Sequence, residues 1–187
     1  MGQAGSSEQM EVFDLYDRDR RPTGETLRRG DQVPQGRYHL VIHICLFNWA
    51  GQMLIQQRQP FKDGWPNLWD VTVGGSALAG ETSRQAARRE ILEELGLELD
   101  LAHCAPSLTS WFQGGFDDIY LLELEPDLNQ LILQPEEVQA VEWADQEEIC
   151  RRIDQGTFIP YRKELIALLF AMRSRGGAID LEQWNKD

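Results

Sequence analysis

Apolar and polar positions change period along the chain, and each change of period marks an element. Phe13 and Leu15 oppose Val12, Asp14 and Tyr16 within Glu11–Asp17, an alternation that predicts a strand. Asp17–Gly24 is charged and contains Pro22 and Gly24, so it reads as a turn. Gly36–Phe47 reads as a long buried strand whose apolar run, Leu40–Phe47, is interrupted by His43. Asn48-Trp49-Ala50-Gly51 is turn sequence and Gln52–Arg58 returns from it, which predicts a hairpin. Pro60–Asn67 reads as a loop, and Leu68–Val73 as a strand ended by Gly74-Gly75. Short strands are expected over Leu97–Leu101, Leu108–Phe112, Asp118–Leu124 and Ala140–Trp143. Helices are expected over Asp145–Ile153 and Tyr161–Met172, the second with Leu165, Leu168 and Leu169 on one side.

The clearest helix runs from a cap at Thr82 or Ser83 to Leu95. Ala87, Ile91 and Leu95 recur at four-residue spacing as a buried stripe. Gly96 is placed to end the helix in a left-handed conformation, and Glu81 suits its positive N-terminal end. Glu90, Glu93 and Glu94 stand at i, i+3 and i+4, which puts three carboxylates on one face within a turn. Like charges so placed repel. On spacing alone a solvated acidic face is the simpler explanation; a site for Mg²⁺, which prefers oxygen donors, is the alternative. Gly74 and Gly75 just upstream let a backbone approach a ligand closely.

Composition narrows the classes. The chain has 187 residues, enough for one core, with 42% hydrophobic and 26% charged residues. No apolar run reaches the ~20 residues of a membrane span. The net charge of −13 opposes docking to nucleic acid or to an anionic membrane, although a bound cation can invert the field locally. Cys45, Cys104 and Cys150 are odd in number and widely separated, which fits a reducing cytoplasm and no disulfide framework. Cys45, within an apolar run, reads as a small buried hydrophobe. The expected organisation is a small polar leader over residues 1–9, one domain over 10–173 and a polar tail over 174–187.

Gly75, Glu81, Arg89, Glu90, Ile91, Glu93, Glu94, Gly96 and Leu97 stand in a fixed register. The segment GSALAGETSRQAARREILEELGL resembles the Nudix box, G-x5-E-x7-R-E-U-x-E-E-x-G-U with U aliphatic, at every specified position. The resemblance implies an α/β architecture, the Nudix fold, with a mixed β-sheet sandwiched between α-helices (α/β/α). It implies a hydrolase that uses Mg²⁺ or Mn²⁺ to cleave a small diphosphate-containing substrate. Glu90 and Glu94 would be the principal metal ligands and Glu93 a further ligand or the base, joined by a backbone carbonyl near Gly75. Arg89 and Glu81 would orient the carboxylates. Asp117, Asp118, Glu136 or Glu137 are alternative bases. Nudix enzymes are often dimers, so a homodimer is among the implied assemblies.

Arg37–Arg58, with Trp65 and Trp69, is similar to isopentenyl diphosphate isomerase, also a Nudix-fold enzyme. That isomerase has a cysteine directly before the box glycine, where this chain has Gly74. It also has three metal-binding histidines, at positions held here by Gln32, His39 and Ser76. Hydrolysis is therefore expected over isomerisation, and His39 is read as a strand residue with a structural hydrogen bond. Arg58, Lys62, Trp69, Gly74 and Asp118 are candidate substrate contacts, although the two cations also fit a solvated surface. Trp65, Trp69, Trp111, Phe112 and Phe116 are candidates for stacking on a base, or for ordinary packing. A nucleoside diphosphate or its derivative is the first expectation for the substrate and a prenyl diphosphate the second. A non-catalytic Nudix-fold binding module is disfavoured because every box carboxylate is present.

Overall fold

A computed structural model describes residues 11–173; the expected leader and tail lie outside the described residues. Strands β1 (Val12–Tyr16), β2 (Pro22–Arg28), β3 (His39–Phe47), β4 (Met53–Arg58), β5 (Trp69–Asp70) and β6 (Val73–Ser76) precede the helix α1 (Ser83–Leu95). Strands β7 (Leu108–Phe112) and β8 (Gly115–Glu123), a 3₁₀ turn (Leu128–Gln130) and β9 (Val138–Ala144) follow. The helices α2 (Gln146–Asp154) and α3 (Lys163–Met172) complete the described chain.

The main sheet has the order β5-β4-β3-β8-β7, with β6 also on β3 and β9 also on β4. β3 and β8 run parallel and the other pairs antiparallel, so the sheet is mixed. A parallel pair cannot be joined by a tight turn. The chain from β3 to β8 makes its crossover through β4, β5, β6, α1 and β7. On one face Leu40, Ile42, Ile44 and Leu46 pack with Ala86, Ala87, Ile91 and Leu95 of α1. On the other, Cys45 and Phe47 pack with Ile149 of α2 and with Ile166, Leu169 and Phe170 of α3. This is the expected α/β/α sandwich, and alternation along one strand feeds both cores.

Three expectations need correction. Asp17–Gly24 is not a simple turn, because β2 begins at Pro22 and pairs with β1 as a separate two-stranded ribbon. Proline is tolerated at the first position of such an edge strand, where its missing N–H costs no ladder bond. Leu68–Val73 is not one strand: β5 pairs with β4, whereas β6 pairs with β3 and contains Gly74 and Gly75. Thr72 makes the corner, its hydroxyl accepting from Leu46 N at 2.8 Å and donating to the Leu54 carbonyl. Leu97–Leu101 forms no strand; Leu97, Leu99 and Leu101 instead close the α1 side of the core as irregular chain.

Asp118 ties the β1–β2 ribbon to the sheet. Arg20, in the turn of the ribbon, donates Nη1 and Nη2 to its two oxygens at 2.9 and 2.8 Å, and Thr109 Oγ1 adds a bond of 2.7 Å. Burial alone would raise the carboxyl's pKa; the bonds from Arg20, Thr109 and Ser83 outweigh it and hold the group below 3.8. A depressed folded pKa contributes stability that is complete above the unfolded value and is lost as pH falls through the folded one. Asp118→Asn should therefore lower the urea midpoint at pH 6, with the deficit shrinking as pH drops below 3.8. An equal deficit at pH 6 and pH 3 would refute the linkage.

Helix α1 starts at a capping box: Thr82 N donates to Gln85 Oε1 at 2.8 Å and the Thr82 side chain accepts from Gln85 N. Thr82→Ala should cost about 1 kcal/mol. Calorimetry should show this as a fall in Tm of about 2–4 °C for a domain of this size.

Candidate active site

The box helix lies against β6, and the two glycines of β6 face opposite ways. A Cβ at Gly75 would overlap the Glu90 carboxylate, so only glycine lets that side chain lie against the strand. Glu90 keeps 12% of its side chain exposed, and Glu94 is 5% exposed as a residue. Glu93, with 50% of its side chain exposed, points outward. The three carboxylates of one turn therefore occupy three different environments.

Arg89 organises Glu90 and Glu93 together with Glu81. Its Nε and Nη2 grip both oxygens of Glu81 at 2.8 and 2.9 Å, Nη2 reaches the Ser76 carbonyl at 3.1 Å, and Nη1 lies 2.9 Å from Glu90 and 3.2 Å from Glu93. Glu81 also accepts from Leu78 N at 2.9 Å. Burial would raise the Glu81 pKa, but Arg89 and Leu78 hold it below its ordinary value. Burial pushes the Glu90 carboxyl up to about 7; Arg89 opposes the shift, and Glu93 and Glu11 add to it. Burial and the neighbouring Glu90 raise Glu94 well above the usual carboxylate range, while Gln56 Nε2 donates to it at 2.9 Å. Glu137 and Asp70 add further negative field at Glu94.

A buried carboxylate, Glu94, and a largely buried one, Glu90, both with raised pKa values beside a strand edge, are suited to a divalent cation, whose charge reverses the desolvation penalty. Hard oxygens are the right donors for Mg²⁺ or Mn²⁺, and the donor set fits such an ion. Among the described residues, no three His, Cys, Asp or Glu side chains are drawn together around a common point. Arg89 instead holds Glu81, Glu90 and Glu93.

The ladder identifies the backbone oxygen that is free. Ala77 N donates to Leu40 O, so Ala77 and Leu40 form a hydrogen-bonded pair, and alternation makes Gly75 and Ile42 the next one. The Gly75 carbonyl therefore turns inward to β3. Carbonyls 74 and 76 face the outer edge, and Arg89 takes that of Ser76. Among the described residues the free edge carbonyl is that of Gly74, one residue before the position expected from sequence.

The expected substrate contacts lie in varied settings. Arg58 donates Nε to Gly64 O at 3.0 Å and lies 3.6 Å from Asp70; Lys62 pairs with Glu137. Both cations therefore reach carboxylates whose field is felt at Glu94. Trp69 lies under the Arg152 guanidinium, 4.6 Å from its ring centroid. Both oxygens of Asp118 are engaged by Arg20. Phe116 is buried and offers no stacking face, whereas Trp65, Trp111 and Phe112 are exposed. A cleft of about 820 Å³ runs along Gln32, Arg37, Tyr38, Trp111, Phe112 and Gln113. His39 packs between Phe13 and Phe112, at ring-centroid distances of 5.9 and 5.7 Å. Among the described residues its buried Nδ1 has no partner, so the structural side-chain bond expected of it is not formed at that atom.

Sequence reasoning missed His43. Its Nδ1 lies 2.8 Å from Asp117 Oδ1 and its Nε2 lies 3.3 Å from the Tyr161 hydroxyl, which donates to Asp70 at 2.9 Å. Burial opposes charge on the ring, but Asp117 and Asp70 raise its pKa above 6.5. The one signal in the chain was a histidine interrupting an apolar strand.

The NUDIX domain family profile matches residues 37–169. An uncharacterised Nudix hydrolase of Listeria innocua is 46% identical over 152 residues, covering 81% of this chain and 90% of that protein. An isopentenyl-diphosphate Delta-isomerase of Shigella dysenteriae is 26% identical over 141 residues, 71% of this chain and 76% of its own. The crystal structure of DR0079 from Deinococcus radiodurans superposes with a TM-score of 0.66 at 29% identity, covering 88% of this chain and all of that one. The intact box, the sandwich around it and these likenesses agree: the chain belongs to the NUDIX domain family and is a Nudix hydrolase, an enzyme of the pyrophosphohydrolase class.

Proposed function

We propose that the protein hydrolyses the diphosphate linkage of a nucleoside diphosphate or a derivative of one, with Mg²⁺ or Mn²⁺ held by Glu90, Glu94 and the Gly74 carbonyl. The observation that carries this reading is the burial of Glu90 and Glu94 against a glycine strand edge. Such carboxylates gain most from a cation. When bound, the cation neutralises the diphosphate and acidifies a water. Glu93, half-exposed and held among the described residues by Arg89 alone, is the carboxylate best placed to take the proton of that water. Arg89 fixes Glu81, Glu90 and Glu93 in one arrangement, so little reorganisation is left for the reaction. Arg58 and Lys62, which pair with Asp70 and Glu137, are the cations assigned to the diphosphate in this reading. The cleft with exposed Trp111 and Phe112 supports an aromatic base on the substrate.

An isomerase reading is disfavoured by Gly74, which supplies no thiol for protonating an alkene. Glu94→Gln preserves shape and removes charge. It should lower turnover more than about 100-fold, beyond the range typical of outer-shell changes, with Tm kept or raised. Phosphate release from a panel of nucleoside diphosphates, triphosphates, nucleotide sugars and prenyl diphosphates, each with Mg²⁺ or Mn²⁺, checks both claims. Parent-rate turnover by the variant would sink the ligand assignment, and prenyl diphosphates as the only substrates would sink the nucleoside reading.

A further inference from the structure

The strand that carries the box glycines rests on an imidazole that the hydrolysis does not use. His43 stands opposite Gly74 in the β3–β6 ladder. A Cβ built on Gly74 would lie 2.7 Å from His43 Cδ2 and 2.8 Å from Nε2, closer than real Cβ atoms approach. The ring is therefore seated on the glycine and fills the space that a side chain at position 74 needs.

Four segments hold the ring in place. Asp117 of β8 binds Nδ1, and Tyr161, just ahead of α3, binds Nε2. Tyr161 donates onward to Asp70 of β5, and Asp70 lies beside Arg58 of β4. Side chains of this network are largely out of water; those of His43 and Asp117 keep 18% and 14% of their surface exposed. Hydrogen bonds in such surroundings fix geometry tightly, because a broken bond leaves a buried polar group without a partner.

We infer that Asp117, His43, Tyr161 and Asp70 form a positioning network for the metal centre, setting the height of Gly74 and thereby of its free carbonyl. The inference rests on the reading that this carbonyl faces the cation. None of the four need touch the substrate. The network has a second consequence: while His43 keeps this position, the strand admits no side chain at residue 74, and the cysteine of the isomerase branch is excluded on steric grounds.

Tyr161→Phe tests the network with the least disturbance, since it keeps the ring and removes the hydroxyl link. Binding of Mn²⁺ without substrate, followed by calorimetry, should weaken about 10-fold, within the range for outer-shell changes at metal sites. With saturating Mn²⁺, kcat should fall while KM stays unchanged. His43→Asn, which keeps a donor towards Asp117, should be milder than His43→Leu. Gly74→Ala should weaken Mn²⁺ binding, and adding His43→Ala, which empties the crowded space, should restore part of it; independent sites would simply add. Folding of each variant is checked by its Tm.

The network is refuted if the parent binds Mn²⁺, Glu94→Gln abolishes that binding, and the folded Tyr161→Phe and His43→Asn proteins match the parent. Equal damage from Gly74→Ala with and without His43→Ala refutes it also. A parent that binds no Mn²⁺ overturns the proposed function and the network together, because no centre would exist to be positioned.

Discussion

The architecture of the site is governed by the cost of keeping carboxylates away from water. Glu90 and Glu94 project from α1 into its contact with the sheet, where desolvation raises both. Their surroundings are arranged around that cost. Arg89 places one guanidinium among three glutamates, Gln56 gives Glu94 a hydrogen bond from β4, and Gly75 withholds a Cβ so that Glu90 can lie flat. The same helix must also bury Ala86, Ala87, Ile91 and Leu95 on the core. An apolar stripe and a charged stripe share one face, and packing of the first forces burial of the second.

Strand β6 is the point where the helix and the sheet meet chemically. Its side-chain alternation sends Gly75 towards α1 and Gly74 towards His43. Its backbone alternation turns the Gly75 carbonyl into the ladder and leaves that of Gly74 at the edge. Both alternations need the register with β3, in which Ile42 opposes Gly75 and His43 opposes Gly74. A slip by one residue would exchange the two faces and seat Glu90 and His43 against the wrong glycines. The long parallel pairing of β3 with β8 helps to fix the register and brings Asp117 to His43.

Much of the chemistry was legible in order along the chain, because the box is a local motif. Its helix, its cap at Thr82, its left-handed end at Gly96 and the pairing of Arg89 with its glutamates lie within a few turns, where sequence separation equals spatial separation. The strands Val12–Tyr16 and His39–Phe47 followed from alternation and from a continuous apolar run. Local pattern failed where long-range partners decided the outcome. Leu68–Val73 alternates like one strand, yet Thr72 bonds to both β3 and β4 and splits it. Pro22 and Gly24 read as turn residues, yet pairing with β1 makes them strand.

The sequence by itself determined the family, the reaction class and the carboxylates on one helical face, since each depends on residues a few positions apart. Only the tertiary structure decided which of those carboxylates are buried, which glycine offers its carbonyl, and that Asp118 is clamped by Arg20. It alone brought together His43, Asp117, Tyr161 and Asp70, which come from three strands and the segment ahead of α3. Such meetings depend on strand register and crossover, which are set by the packing of the whole sheet and are written in no single stretch of the chain.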